Sequence, residues 1–258
     1  MKASFDKAAT TYDESFTNTA IGKFQRNAVY EIVLNHIKNT KTILEINCGT
    51  GEDAIWLAKQ GIEITATDIS IEMIAVAKSK TNLENLTFLQ ANCISVSEQF
   101  SNKKFDLLFS NFGGLNCLTK KELEKFLNNT SQILSEKGKM ILVIMPKNTL
   151  WEKAYFVLKG KFKTAYRRKK NVAIANVDGE KVSTYYFNPK DVVNLSKTNF
   201  ELIETKPIGF FIPPSYLEPF FKNKKSFLNI LNCLESKIKN WSFLSKYADH
   251  YLIVLQKK

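Results

Sequence analysis

Arginine and histidine are scarce in this 258-residue chain. Arg26, Arg167 and Arg168 are its arginines; His36 and His250 are its histidines. The four cysteines, Cys48, Cys93, Cys117 and Cys233, are scattered, with no C-x-x-C spacing. That argues against a disulfide framework or a metal site and suits a reducing cytoplasm. Long apolar runs are also missing. The longest, Met140 to Met145, is far short of the roughly 20 residues of a membrane span. Met1-Lys-Ala-Ser-Phe-Asp6 opens without an apolar signal region, so the expected compartment is the cytoplasm. Acidic residues run short in one half only. Residues 147–258 hold 21 Lys/Arg against 9 Asp/Glu, the whole of the net +12, while residues 1–146 balance at 16 and 16. Such asymmetry suggests an anionic partner: a carrier, a membrane surface or nucleic acid. Plain solubility is the competing explanation. The excess is mostly lysine, whereas arginine is the favoured fork for phosphate.

What is present is regular. Strand-like runs at 42–46, 62–67, 86–90, 105–110 and 139–145 alternate with helical patterns at 53–60, 71–81 and 120–134. This is the signature of a parallel sheet in a three-layer, doubly wound α/β fold. Residues 5–40 read as helices, with Val29, Ile32, Val33 and Ile37 at helical spacing. Thr119 and Glu122 form a capping box for the helix at 120–134, and Gly138 is its expected stop. Beyond Pro146 the pattern changes. Lys159 to Lys170 is basic with interleaved aromatics. Residues 172–187 read as a hairpin turning at Asp178-Gly179. A helix at 189–198, a strand at 200–205, a helical insert at 213–247 and a last strand at 251–255 follow.

The chemistry concentrates at Thr42-Ile-Leu-Glu-Ile-Asn-Cys-Gly-Thr-Gly-Glu-Asp53. A buried strand breaks into a glycine turn and opens a helix, and Asp68 ends the next strand. That is a nucleotide-binding arrangement. Glu52 and Asp53 at the helix start would repel a pyrophosphate, although helix N-termini otherwise favour anions. They tolerate a cationic ligand, and S-adenosylmethionine fits: a nucleoside with a sulfonium and no phosphate. Asn47 stands where a glycine is usual, and asparagine tolerates positive φ.

Glu45-Ile-Asn-Cys-Gly-Thr-Gly51 resembles the first motif of Rossmann-like (class I) S-adenosylmethionine-dependent methyltransferases of small-molecule type. The resemblance runs on through Asp68, Asn92 and 105–111, and covers roughly residues 40–146. It implies a mostly parallel seven-stranded sheet of order 3-2-1-4-5-7-6 with the last strand antiparallel, N-terminal helices and a C-terminal helical and hairpin insert. The whole of 1–258 is then one methyltransferase domain: a helical lid at 1–40, a cofactor core at 41–146, substrate-side inserts at 147–248 and a last strand at 249–258.

The resemblance also implies roles. Asp68 would accept both ribose hydroxyls; its plainer role is to cap the helix at Ser70. Glu45, Asn47, Cys48, Gly49 and Gly51 would hold the methionine end, and Arg26 its carboxylate. Ile69 and Met73 would flank adenine, or simply pack in the core. Asn92 and Cys93 would face the adenine edge, with an Asx turn as the alternative for Asn92. Tyr12 would contact the cofactor from the lid, or pack its helix. Ser110, Asn111 and Asn116 would position cofactor or substrate, with Gly113-Gly114 allowing close approach. Tyr185, Phe211 and Tyr216 are candidate substrate contacts from the aromatic insert. An antiparallel last strand would bring His250 to the ligand side, as a base or a structural histidine. No metal is expected.

Residues 110–116 lack the Asn/Asp-Pro-Pro-aromatic motif of nucleic-acid and glutamine N-methyltransferases. The expected acceptor is an oxygen (or carbon) of an apolar small molecule or lipid-like compound. An RNA methyltransferase gripping through the basic half, and a non-catalytic cofactor-binding protein, stand as alternatives.

Overall fold

A computed structural model describes residues 5–170, 172–177 and 179–258. One sheet is built from β1 (Thr42–Ile46), β2 (Glu63–Asp68), β3 (Leu86–Gln90), β4 (Phe105–Ser110) and β5 (Leu134–Ile144). A separate hairpin of β6 (Ala173–Val177) and β7 (Glu180–Thr184) follows, and then β8 (Phe200–Ile208) and β9 (His250–Lys257) complete the sheet. Its order is β3-β2-β1-β4-β5-β9-β8. The first five strands are parallel, and β9 runs antiparallel to both neighbours. Leaving the hairpin out of the count, this is the expected order. Of the expected hairpin turn, Asp178 lies outside the described residues.

The central strands are apolar on both sides because both faces are covered. Leu44, Ile46, Leu108 and Leu142 enter one core, with Phe126 and Tyr251. Ile43, Leu107, Phe109 and Ile141 enter the other, with Val29 and Leu57. Each fully buried side chain of this size contributes about 1.5–3 kcal/mol.

The covering helices are α1 (Ala20–Val33), α2 (Glu52–Ala58), α3 (Ile71–Ser79), α4 (Val96–Gln99) and α5 (Lys120–Asn129). After the sheet's fifth strand come α6 (Leu150–Leu158), α7 (Phe162–Ala165), α8 (Pro189–Ser196), α9 (Glu218–Phe221) and α10 (Lys225–Ile238). Capping is local and readable. Thr19 accepts from the N–H of Gly22, Ser70 from that of Met73, and Thr119 with Glu122 forms a full capping box.

The end of α5 differs from expectation. The helix stops at Asn129, where Thr130 turns its hydroxyl back onto the Phe126 carbonyl and a 3-10 turn follows. Strand β5 then starts at Leu134, so Gly138 lies inside a strand rather than ending a helix. The β4–β5 register shifts between Phe105 and Leu107, and Lys137 takes a φ of 59°, so the strand entry is irregular.

The insert after β8 has its own apolar cluster. Ile212, Leu217, Phe221, Leu228 and Leu231 pack around Ile21 of α1, with Trp151 and Tyr155 of α6 against them. No helix among the described residues is long and apolar enough to cross a membrane.

Candidate functional site

The carboxyl ends of β1, β2 and β4 meet at the first turn. Asn47 adopts φ 54°, Gly49 53° and Gly51 80°. Glycine is required at position 51 twice over. A Cβ there would lie 2.8 Å from Ala77 and from the Phe88 ring, and the backbone is left-handed. Gly114 packs so closely on Asn47 that a Cβ would come within 2.5 Å of it, which explains the glycine pair after β4. The Asn47 amide also donates to Ser110 Oγ at 3.4 Å.

Asp68 is buried at the end of β2. Its two oxygens each accept one N–H at 2.9 Å, from Gly49 and from Ser70. Burial raises its pKa, although those N–H groups oppose the rise. Glu45 is 1% exposed and its Oε2 has no partner among the described residues. Burial first, and the neighbouring Asp53 second, push its carboxyl well above the usual carboxylate range.

Arg26 donates from Nη1 to Asp53 Oδ1 at 2.9 Å, and the Tyr30 hydroxyl donates to the same oxygen at 2.8 Å. Asp53 is therefore matched by a cation, so of the two carboxylates at the start of α2 only Glu52 bears on a ligand as a bare charge. The Arg26 Nε is likewise buried with no partner among the described residues, as is Asn111 Nδ2.

The N-terminal segment closes over this turn. A π-helical turn spans Asp13–Thr17; Asp13 accepts from Thr50 Oγ1 at 2.7 Å and pairs with Lys80. Ser70 donates to Asp6. Burial pushes the Tyr12 hydroxyl up to about 12. A wall of rings continues from it: Tyr12 to Phe16 at 5.8 Å, Phe16 to Phe112 at 5.3 Å and Phe112 to His250 at 5.2 Å. Phe112 carries φ 32°, a strained value for a bulky residue. The cavity left between this segment and the turn is about 30 Å³.

Tyr12, Arg26, Asn47, Cys48, Gly49 and Asn111 all line that cavity; Asp68 does not line it but accepts from the N–H of Gly49, which does. Met73 is buried against Ala8 and Ala9 of the N-terminal segment, while Ile69 is 48% exposed. Cys93 is buried in the core below, its thiol pushed up to about 12 by burial. Asn92 is exposed and its amide oxygen accepts from the Ile94 N–H at 2.9 Å, the Asx turn.

The four residues expected to contact substrate do not come together as one group. Asn116 is wholly committed to backbone: it donates to the carbonyls of Tyr185 and Met145 and accepts from the Met145 N–H. It ties the end of β5 to the chain after β7, with both amide hydrogens given to backbone carbonyls. Tyr185 meets it there. Phe211 and Tyr216 belong to the insert instead, Tyr216 lying over Phe156 at 6.4 Å.

Sequence reasoning missed an ion-pair network. Glu152, 1% exposed, accepts from Arg167 Nε at 2.6 Å and from Arg168 Nε at 3.0 Å; Arg168 reaches on to Asp249 Oδ1 at 2.8 Å. Asp249 Oδ2 lies 3.2 Å from His250 Nδ1, at ion-pair distance without an aligned hydrogen bond. Burial opposes ionisation of Asp249, but His250 and Arg168 hold its pKa below the usual range. It also missed Phe112, although a phenylalanine between Asn111 and two glycines at the end of a strand marks a forced ring position.

A family model described as a methyltransferase domain matches residues 43–138. The chain is 31% identical over 257 residues to an uncharacterized protein of Methanocaldococcus jannaschii, covering 93% of this chain and 92% of that one. It is 30% identical over 154 residues to the malonyl-[acyl-carrier protein] O-methyltransferase of Bacillus cereus, 57% of this chain and 53% of that protein. Among solved structures, an S-adenosylmethionine-dependent methyltransferase of Methanosarcina mazei superposes with a TM-score of 0.60 at 20% identity, covering 88% and 96% of the two chains. The magnesium protoporphyrin IX methyltransferase of Synechocystis, with S-adenosylhomocysteine bound, superposes at 0.58 and 12% identity, covering 96% and 87%.

Proposed function

The chain belongs to the Rossmann-like (class I) S-adenosylmethionine-dependent methyltransferases, and on that premise we propose that it methylates an oxygen (or carbon) of an apolar small-molecule or lipid-like acceptor, acting as one domain over its whole length. S-adenosylmethionine is its cofactor and, when bound, supplies an electrophilic methyl carbon on a sulfonium.

The residues at the turn fit that group, because they hold polar capacity that the protein itself leaves unused. Glu45 Oε2 suits an ammonium, and Arg26 Nε with Asn111 Nδ2 suits a carboxylate. Each Asp68 oxygen has accepted one N–H and keeps a second lone pair for a ribose hydroxyl. Ile69 and Met73 flank the base, and Asn92 contributes less, its amide oxygen being engaged. A pocket for a ligand of this size needs several hundred Å³, so the segment carrying Tyr12 and Phe16 swings out to admit it. Reclosed, it excludes water and holds the reacting groups in line, an arrangement that can supply roughly 7–11 kcal/mol by proximity. Positioning therefore dominates over base catalysis. His250, across Phe112 and oriented by Asp249, accepts the proton of a hydroxyl acceptor.

The observation that carries the acceptor class is the inner boundary of the insert. Its apolar cluster draws in Trp151, Tyr155 and Phe211, and Thr149 Oγ1, two residues before Trp151, is buried with no partner among the described residues; a mostly apolar wall with a polar atom beside it suits an apolar acceptor bearing an oxygen. The likeness to an O-methyltransferase supports oxygen as the atom. The RNA reading loses support, since Arg167 and Arg168 are bound to Glu152 and Asp249 rather than presented to phosphate.

The test is transfer from methyl-labelled cofactor into cell extract. Label is expected in the organic-solvent phase, resistant to protease and ribonuclease, and absent with Asp68→Ala. Label in RNA would overturn the acceptor assignment.

A further inference from the structure

The insert after β8 shows a face that methyl transfer does not use. Residues 215–247 contain two acids, and both are turned to structural work. Glu218 accepts from the N–H groups of Ala20 and Ile21 at the start of α1, at 3.1 and 2.9 Å. Glu235 is buried and accepts from the four consecutive N–H groups of Gly209 to Ile212, at 2.6–3.2 Å. The six lysines of the same stretch, at 222, 224, 225, 237, 239 and 246, are all exposed. Among the described residues only Lys239 of these finds a carboxylate, Glu31 at 3.2 Å.

Apolar side chains share this face. Helical spacing puts Leu228, Leu231 and Ile238 of α10 inward, and Phe227, Ile230 and Leu234 on an adjoining stripe that is open to solvent. Phe227 lies parallel to Phe221 at 6.1 Å, and the next ring, Phe220, is 62% exposed with Lys224 Nζ 3.2 Å from its centroid. Trp241 and Phe243, stacked at 5.9 Å, are exposed as well. Solubility explains the lysines but not the open aromatics. Core packing explains aromatics but not their exposure. A helix with an apolar stripe, tryptophan and phenylalanine beside it and lysines without acids is built for the boundary between headgroups and acyl chains.

We propose that α9, α10 and the turn at 241–246 seat this protein on an anionic lipid surface, with Phe220, Phe227, Ile230 and Trp241 entering the interface and Lys222, Lys224 and Lys225 neutralising lipid phosphates. An acidic protein partner is the lesser fit, because lysines alone would engage it and the stripe of Ile230 and Leu234 would be left over. The proposal deepens the lipid-like reading of the acceptor and rests on it for its purpose. Its test needs no turnover, so either can fail without the other.

The full chain is sedimented with phosphatidylcholine vesicles with and without phosphatidylglycerol. Binding is expected only with phosphatidylglycerol and is lost in high salt. Replacing Lys222, Lys224 and Lys225 with alanine is expected to weaken it about a hundredfold, near fivefold for each lysine. Ile230→Ser with Leu234→Ser is expected to weaken it at least tenfold, with the melting temperature and cofactor affinity held as checks on folding. Equal binding to both vesicle types would overturn the proposal. So would a serine variant that folds and binds vesicles as well as wild type while the alanine variant does not, an outcome that points to an acidic protein instead.

Discussion

Around the first turn, Glu45 Oε2, Arg26 Nε and Asn111 Nδ2 are buried and bonded to nothing among the described residues. In the half after β5, Glu152 holds two arginines, Arg168 holds two acids, and Glu235 takes four backbone N–H groups. Both regions bury charge, so burial does not separate a site from a scaffold. Saturation does. A buried polar atom without a partner costs about 1–3 kcal/mol, and a protein keeps such atoms where a ligand will supply the partner. In the scaffold the same groups satisfy each other and fix the insert against the start of β9. Breaking one group in each region separates the two behaviours.

The largest effect is expected at Glu152. Replacing it with glutamine leaves Arg167 without an anion and Arg168 with Asp249 alone. Breaking a buried pair in this way costs roughly 3–5 kcal/mol, and thermal or urea unfolding reads it directly. Cofactor affinity of the folded variant is expected to stay within about threefold of wild type, because Glu152 itself lines no part of the cavity at the first turn and a group without direct contact shifts binding by a few tenths of a kcal/mol. A large loss of affinity without loss of stability would erase the distinction between the regions.

Asp68→Ala is expected to show the reverse balance. Two charge-assisted bonds to ribose are lost, each worth roughly 1.5–3 kcal/mol, so cofactor affinity should fall about a hundredfold or more in calorimetric titration. Stability falls less, by about 1–3 kcal/mol, because what lose a partner are backbone N–H groups, those of Gly49 and Ser70 foremost. Unchanged affinity would remove Asp68 from the site.

The difference between the regions also explains what could be read without a structure. Asn47, Gly49, Gly51 and Asp68 sit within one strand-turn-helix-strand unit, where local sequence dictates backbone and spacing. The parallel sheet followed from the alternation of strands with helices, and its order from the family resemblance. Arg26 found its partner in Asp53 and Arg168 in Asp249, 27 and 81 residues away. No local pattern carries that pairing. The same holds for Asn116, which looked free for substrate because its clasp on Tyr185 and Met145 exists only when β5 and β7 have been placed. Asn92 shows the converse: a local Asx turn suffices to occupy its amide oxygen.

Glu45→Gln carries the smallest effect on stability and the sharpest sign. The folded pKa of Glu45 is raised, so the folded state holds its proton more tightly than the unfolded chain. The stability this group contributes is present in full below the ordinary glutamate pKa and is lost as pH rises toward the folded value. Glutamine removes the titration. Wild type and variant should therefore match in acid, and the variant should become the more stable of the two as pH climbs above about 4.5 toward neutrality. Affinity moves the other way. An amide cannot offer charge to an ammonium, so the cofactor should bind at least tenfold more weakly to the variant at pH 7. A gain in stability joined to a loss of binding is what a buried acid kept for a ligand produces. Loss of both together would place Glu45 with Glu152, among the groups that hold the fold.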